Sequence, residues 1–428
     1  MKVALINPNW RFDGSIYFGC RKPHLPLEFG ISKRLLEDAG NRVLLLDAQL
    51  FELSLSDIAA ELRSFQPDMA VVTTAPTYLF WRCAPPELRV PQDVTHHIRD
   101  LTPFIVAVGP HGSTTPRMAL RKLNADLVVM GECEHTLLHL AAGERDDLPG
   151  TCYAASGAIR VNGGPQAAPF VDQPPLVWPE EFIARHHHHH HRFEAESIGP
   201  GAEVEASRGC PYNCTFCAKE NYRNKYRKRS VEGVLQEVYA LQEQGVEYIY
   251  FIDEIFLPTE PLLNGLVGRG LKFGVQTRID LWKPEMLALL GRAGCVSAEC
   301  GIESLTVEGR EVLAKRCKMT TDQLADRLAE AKRHIPFVQA NLIEMPQDDD
   351  VIVQRWRTQM REAGVWANDP VPLFPYPGSP DYRKLWGEPD DHAWERAHDY
   401  YLKVFDQFSN VQDSRPRRLH ELELEAMS

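Results

Sequence analysis

Twice along this chain, short apolar runs of strand length alternate with amphipathic helical patterns, and a Gly- and Pro-rich stretch separates the two series. In the first 145 residues the runs are Val3–Ile6, Val43–Asp47, Met69–Thr73, Ile105–Val108 and Leu127–Met130, with helical patterns such as Glu28–Ala39 and Ile58–Phe65 between them. Near-continuous apolar strands joined through helices read as a doubly wound parallel sheet, buried on both faces. Ligands of such sheets bind beyond the carboxyl ends of the strands.

Residues 146–200 change character, with PGTCYAASG, NGGPQAAP and DQPPLVWP followed by the histidine run His186 to His191. They read as a linker with room for a small hairpin. A second alternation occupies 201–377. Its strand candidates are Glu203–Ser207, Tyr248–Asp253, Phe273–Thr277, Val296–Ile302, Phe337–Ile343 and Val371–Phe374. The helical patterns between them are Val231–Gln244, Pro261–Arg269, Pro284–Ala293, Thr321–His334 and Val351–Ala363. These β/α units fall short of the eight that close a TIM barrel, so a partial, TIM-like (β/α)6 barrel is expected. Residues 378–428 are polar and aromatic and read as a small helical C-terminal cap.

Composition excludes several classes. A length of 428 residues exceeds one ordinary core. The net charge of −12 argues against a general nucleic-acid binder, which needs clustered Lys and Arg. The one basic run, Arg223 to Arg229, reads as a solvated helix start near an anionic cofactor. The opening MKVALINPNW lacks the apolar core of a signal peptide, and no apolar run is long enough to span a membrane. A cytoplasmic protein is expected.

Of ten cysteines, three fall within eight residues: Cys210-Pro-Tyr-Asn-Cys214-Thr-Phe-Cys217. In a reducing compartment such crowding reads as metal or cluster ligation. Thiolates select iron–sulfur clusters or zinc. Four cysteines would saturate a cubane; three leave one iron open to a substrate. The alternative is a Cys₃His zinc knot using one of the upstream histidines.

With this motif in view, the chain resembles the radical S-adenosylmethionine superfamily, in the branch with an N-terminal cobalamin-binding domain, over roughly residues 1–378. The resemblance implies a [4Fe–4S] cluster on Cys210, Cys214 and Cys217, with S-adenosylmethionine on the open iron. Phe251-Ile-Asp253-Glu254-Ile-Phe256 looks like the strand end that receives the methionine amino group. Gln276-Thr-Arg278 looks like the third strand. Glu299-Cys-Gly-Ile-Glu303-Ser304 looks like the segment that meets ribose and carboxylate, and Pro375-Tyr-Pro-Gly-Ser-Pro380 like the loop ending the core. An ammonium needs carboxylate acceptors, which suits Asp253 or Glu254; adjacent on a strand, they point to opposite faces, so only one meets the ligand. A carboxylate holds a ribose diol well, which suits Glu303, and Phe216 can pack on adenine. Leu342-Ile-Glu-Met-Pro-Gln-Asp departs from the Gly-rich ending the family often has after the fifth strand.

The first series is similar to the branch's Rossmann-like cobalamin domain. Gly109-Pro110-His111-Gly112 looks like its corrinoid loop and Gly131-Glu132-Cys133-Glu134 like the turn near the nucleotide tail. Glycine there would let backbone approach a flat ligand. A Rossmann-like domain without cofactor is the plainer alternative. The D-x-H-x-x-G motif of other cobalamin proteins is absent, so the lower face of cobalt is expected over Asn9 and Trp10 or the Thr73–Trp81 loop, including Thr74 and Tyr78.

Cys20, Cys83, Cys133, Cys152, Cys295, Cys300 and Cys317 read as small buried apolar residues; a second cluster on Cys295, Cys300 and Cys317 is the sharper alternative. The His run is a solvated tract or lines the space between two cofactors. Trp394, Tyr400, Tyr401, Phe405 and Phe408 are candidates to shape a substrate pocket. The resemblance implies a cobalamin-dependent radical methyltransferase acting on a small molecule, with an external flavodoxin- or ferredoxin-like electron donor. A cobalamin-dependent rearrangement or cyclisation without methyl transfer, and a non-catalytic cobalamin- or metal-binding protein, are the competing readings.

Overall fold

The structure, a computed structural model, describes residues 1–15, 23–77, 84–145, 147–170, 173, 175–187, 199–219, 222–404 and 417–423. Strands β1 (Lys2–Asn7), β2 (Arg42–Asp47), β3 (Met69–Thr73), β4 (Ile105–Val108) and β5 (Leu127–Val129) form a parallel sheet in the order β2-β1-β3-β4-β5. Every residue of β3 and β4 is buried, as a sheet covered on both faces requires. The chain reverses direction across the sheet between β1 and β3, and the crevice of such a fold opens at their carboxyl ends.

The sheet continues past residue 145. β6 (Thr151–Ala155) pairs antiparallel with β5, and β7 (Ala158–Asn162) closes a hairpin with β6. The Ser156-Gly157 turn takes positive φ at both residues, the conformation a tight hairpin demands.

A second sheet holds β8 (Gly201–Val204), β11 (Tyr248–Phe251), β12 (Lys272–Thr277), β13 (Cys295–Glu303), β14 (Phe337–Leu342) and β15 (Trp366–Ala367), all parallel and adjacent in chain order. The expected (β/α)6 arrangement is present. Between β8 and β11 a small ladder joins β9 (Ser207–Arg208) to β10 (Arg227–Lys228). The sixth strand is not Val371–Phe374 but β15, a few residues earlier. Pro370, Pro372 and Pro375 remove ladder donors from the later run, leaving one bridge, Ile343 to Val371.

Helices start where the sequence supplies donors' partners: Thr320 and Gln323 form a reciprocal cap on Thr321–His334. The two sheets share a core. One buried cluster runs from Val3, Leu5 and Val71 through Leu27, Phe29 and Trp178 to Val204, Tyr250 and Phe273. Each such side chain contributes roughly 1.5–3 kcal/mol on burial.

After residue 378 come helices Pro380–Trp386, Ala393–Val404 and Leu419–Leu422. They lean on the first sheet's flank. Trp394 Nε1 donates to Thr115 Oγ1 at 3.0 Å, and Lys122 Nζ reaches Glu395 at 2.7 Å and Glu423 at 2.5 Å. Among the described residues no helix is long and apolar enough to cross a membrane.

Candidate functional site

A cavity of about 330 Å³ opens at the carboxyl ends of the second sheet. Cys210, Cys214 and Cys217 line it, and the loop that carries them follows β9. Among the described residues no three His, Cys, Asp or Glu side chains converge on a point where one metal ion would sit. The three thiols share a cavity instead, as ligands spread over a multi-iron cluster would. Burial pushes all three thiols up, Cys217 to about 12. Their thiolates therefore require a cation to neutralise them. Three soft donors around one cavity fit a cluster with an open iron.

Strand register explains the rest of the lining. Glu299, Gly301 and Glu303 alternate along β13 and face the cavity together. Gln276 of β12 lies beside Glu299 and donates to its Oε2 at 3.0 Å. Asn341 of β14 lies beside Gly301 and also faces in. Glu303 adopts φ 66° and pairs with Lys315 Nζ at 2.9 Å. Arg278 is held by Asp280 at 2.9 Å and sits 4.1 Å above the Tyr212 ring, while its buried Nη1 has no hydrogen-bond partner among the described residues. Phe216 and Tyr376 supply apolar wall. Carboxylates, an unspent guanidinium donor and aromatic surface fit a ligand that carries an ammonium, a carboxylate and a base, as S-adenosylmethionine does.

The adjacent acids separate as strand geometry requires. Glu254 lines the cavity and accepts from Gly209 N at 2.8 Å. Asp253 turns away, accepting from Ala206 N at 2.8 Å and Ser207 Oγ at 2.5 Å, and burial pushes its carboxyl up to about 7. It braces the loop entry. Ser304, one residue beyond Glu303, is fully buried away from the cavity lining and donates to Asp348 Oδ1 at 2.8 Å. Sequence reasoning passed over Tyr212, Lys219, Lys315, Asn341 and Tyr376. Lys219 Nζ donates to the Cys210 carbonyl at 2.5 Å, a bond across a single loop that the basic side chain so close to the motif hints at.

The first sheet's crevice is built differently. Thr73 and Thr74, at the end of β3, are buried with hydroxyls that have no partner among the described residues, and Gln49 Nε2 beyond β2 is in the same condition. These orphaned groups at the strand ends fit a large polar ligand, such as a corrinoid, that brings its own amide partners. Trp10 is buried, its Nε1 donating to Asn7 Oδ1 at 2.9 Å, whereas Asn9 lines a separate cavity of about 240 Å³ with Arg11, Leu53 and Asp93. Tyr78 and the loop to Trp81 lie outside the described residues, as do Cys20 and Cys83.

The glycines of both turns serve the protein's own packing. A Cβ at Gly112 would come within 2.3 Å of Val128 Cγ1, and one at Gly131 within 2.2 Å of the Gln166 carbonyl oxygen. Gly109, before Pro110 at a helix start, takes φ 133°. His111 is buried against Pro85 O at 2.8 Å and the Trp394 ring, and burial pushes its imidazole down to about 3. Its Nδ1 is buried without a hydrogen-bond partner among the described residues. Glu132 and Glu134 are buried against arginines of the cysteine-bearing half: Arg208 Nη1 lies 2.7 Å from Glu134 and 3.2 Å from Glu132.

His186 lies between the sheets, 2.6 Å from Gly201 O and 3.1 Å from Pro23 O; His188–His191 lie outside the described residues. Cys295 and Cys300 are buried singly, with Cys295 Sγ 3.3 Å from Ser297 O. Trp394 and Tyr401 are buried in their own clusters and Tyr400 packs on Trp386, so the described aromatics of this segment stand apart from the cavity, which takes Tyr376 instead. Phe405 and Phe408 lie outside the described residues.

Two sheets built on parallel strands, one with a thiol-lined cavity and one with orphaned polar groups at its strand ends, fit a two-cofactor α/β enzyme. Residues 204–353 match the radical SAM superfamily and residues 21–141 match the B12 binding domain. The chain therefore carries a radical SAM domain and a B12 binding domain, and the cofactors of these domains are a [4Fe–4S] cluster with S-adenosylmethionine and cobalamin. It is similar to an uncharacterized methyltransferase of Pyrococcus horikoshii, with 25% identity over 78% of this chain and 72% of the relative. It is also similar to the anaerobic magnesium-protoporphyrin IX monomethyl ester cyclase of Cereibacter sphaeroides, with 26% identity over 77% of this chain, spanning 54% of the cyclase. Among solved structures, the radical S-adenosylmethionine methyltransferase TsrM from Kitasatospora setae has the same fold, at a TM-score of 0.69 and 18% identity, covering 89% of this chain and 76% of TsrM.

Proposed function

We propose that this radical enzyme transfers a methyl group to a carbon of a small molecule, with cobalamin as the methyl carrier. When bound, the cluster supplies the electron that splits S-adenosylmethionine to a 5′-deoxyadenosyl radical, and cobalamin supplies the methyl group. The protein's own residues position and exclude water. Cys210, Cys214 and Cys217 are the cluster ligands. Glu254 receives the methionine ammonium, Arg278 Nη1 its carboxylate, and Glu303 the ribose, with Gln276 and Glu299 fixing the floor between them. Thr73, Thr74 and Gln49 meet the corrinoid. Residues 1–162, with the hairpin that extends the first sheet, form the cobalamin domain, 163–200 the linker, 201–377 the radical domain and 378–428 a C-terminal extension. The electron comes from a flavodoxin- or ferredoxin-like protein, and the enzyme works in the cytoplasm.

The observation that carries the reading is the single cavity in which three thiols meet Glu254 and Glu303 at the ends of parallel strands. The relatives favour methyl transfer by name in the Pyrococcus protein and TsrM, and cyclisation in the Cereibacter enzyme. The test is anaerobic turnover with S-adenosylmethionine carrying a deuterated methyl, followed by mass spectrometry of the corrinoid and of 5′-deoxyadenosine. Label on cobalamin together with 5′-deoxyadenosine is expected. Release of 5′-deoxyadenosine with an unlabelled corrinoid would turn the reading to rearrangement or cyclisation, and neither product to a non-catalytic binder.

A further inference from the structure

Four carboxylates and three guanidiniums are buried together where the first sheet meets the loop that carries the cysteines. Arg208 stands two residues before Cys210 and is fully buried. Its guanidinium meets Glu205 Oε2 at 2.8 Å on its own strand segment, and Glu132 and Glu134 beyond β5 on the other half. Arg227, across the β9–β10 ladder from Arg208, places both terminal nitrogens on the carboxylate of Glu132. Arg223 Nη1 joins Glu205 at 2.6 Å to Glu254 at 3.4 Å. Glu254 in turn accepts from Gly209 N, the peptide next to Cys210. A continuous chain of charge-assisted bonds therefore runs from Glu132 to the backbone that presents the first cysteine.

The planar forks of Arg208 and Arg227 fix orientation as well as distance, and Phe170 closes the network, its ring centre 4.6 Å from the Arg208 guanidinium. Breaking one member of such a dry network leaves charges buried without partners. We infer that Glu132, which lines neither the thiol cavity nor any other cavity described here, is a positioning residue for the cysteine loop: through Arg208 and Arg227 it sets where the corrinoid-side half holds Cys210. This rests on the cysteines being the cluster ligands.

The test uses full-length protein, reconstituted anaerobically, as wild type, Glu132→Gln, Glu132→Asp and Arg227→Gln. Iron content, the EPR spectrum of the reduced cluster with and without S-adenosylmethionine, the cluster reduction potential and cobalamin retention are read on each. Glu132→Gln is expected to keep wild-type iron and cobalamin, to alter the EPR g-values, and to raise the reduction potential, because two guanidiniums lose a compensating charge. Cleavage of S-adenosylmethionine is expected to fall by about tenfold to a hundredfold, the scale of a displacement near 1 Å at a reacting centre. Glu132→Asp, which restores the charge, is expected to recover the potential. Unchanged spectrum and potential in Glu132→Gln, with cobalamin lost, would overturn the inference and make Glu132 a corrinoid contact. If Glu132→Gln does not fold, Arg227→Gln at the partly exposed end of the network decides: a changed spectrum supports the inference, a wild-type one overturns it. Absence of a cluster signal from wild type would instead refute the site on which the inference rests.

Discussion

The two sheets solve the same problem in opposite ways. Both are built on parallel strands, yet the carboxyl end of the second is wired before any ligand arrives. Glu303 has Lys315, Gln276 has Glu299 and Arg278 has Asp280. At the first, Thr73 and Thr74 are buried with no partner among the described residues. The second site is preorganised for chemistry, where misplacement of a reacting group is costly. The first carries the penalty of unmet hydrogen bonds until a ligand relieves it, so its stability and its occupancy are coupled.

The largest expected effect falls on the second sheet. Replacing Cys210, Cys214 or Cys217 by Ala should abolish the cluster, taking reconstituted iron from about four per chain to near zero. Iron and sulfide assays check this, and an intact cluster in the triple variant would undo the contrast at its root.

Next come the two adjacent acids. Glu254 lines the cavity and Asp253 does not. A charge-assisted hydrogen bond is worth about 1.5–3 kcal/mol, so Glu254→Gln should weaken S-adenosylmethionine binding by about tenfold to a hundredfold with the cluster retained. Asp253→Asn should leave affinity within about twofold and lower the thermal midpoint, since it disturbs Ala206 and Ser207 instead. Titration against the intact cluster distinguishes them, and equal effects would mean that the strand-end geometry is not what sorts these residues.

Much of this was legible in the sequence, for reasons that differ by element. The runs forming β1 to β5 and β11 to β14 are apolar and bounded by turn residues, so their ends were readable to within two residues. Strand β15 was not, because Trp366–Ala367 is too short to show a pattern while Val371–Phe374 is an apolar run of strand length, prolines notwithstanding. The cysteines announce themselves by spacing. Lys315 does not: its pairing with Glu303 spans the short helix Val307–Val312, and no local period records it. Ser304 was placed in the site by adjacency to Glu303, although one step along a strand reverses the face. Glu132 carried a readable motif, but its partners Arg208 and Arg227 lie in the other half of the chain.

Buried acids of the first half sharpen the contrast by pH. Burial raises Glu28 to about 8, with only the Thr77 hydroxyl and its own backbone to oppose it, while Arg208 and its neighbours hold Glu132 down at about 2 despite burial. Glu28 is protonated when folded and ionised when unfolded between about pH 4.5 and 8. The folded state binds the extra proton, so stability falls as pH rises through that window, by up to roughly 1.4 kcal/mol per unit from this group, and levels off above pH 8. Denaturant midpoints of wild type and Glu28→Gln at pH 5.5 and 7.5 check it. The variant should show the smaller loss, and identical slopes would place the ionised carboxylate in the fold.

The smallest effect tests the first sheet directly. Thr73 and Thr74 sit at the end of a fully buried strand, and Val matches Thr in shape without the hydroxyl. In protein free of corrinoid, removing an unbonded buried hydroxyl removes a desolvation cost, so Thr73→Val and Thr74→Val should each raise stability by about 1 kcal/mol. If the hydroxyls bond the corrinoid when it binds, the same substitutions should weaken its retention by about fivefold. Stabilisation without cobalamin and weaker binding with it are two signs of one cause, and neither a packing defect nor a general loss of fold produces both. Thermal midpoints of cobalamin-free protein and equilibrium dialysis against hydroxocobalamin read the two arms. A destabilised cobalamin-free variant would mean that the hydroxyls already have partners, and the two sheets would then be wired alike.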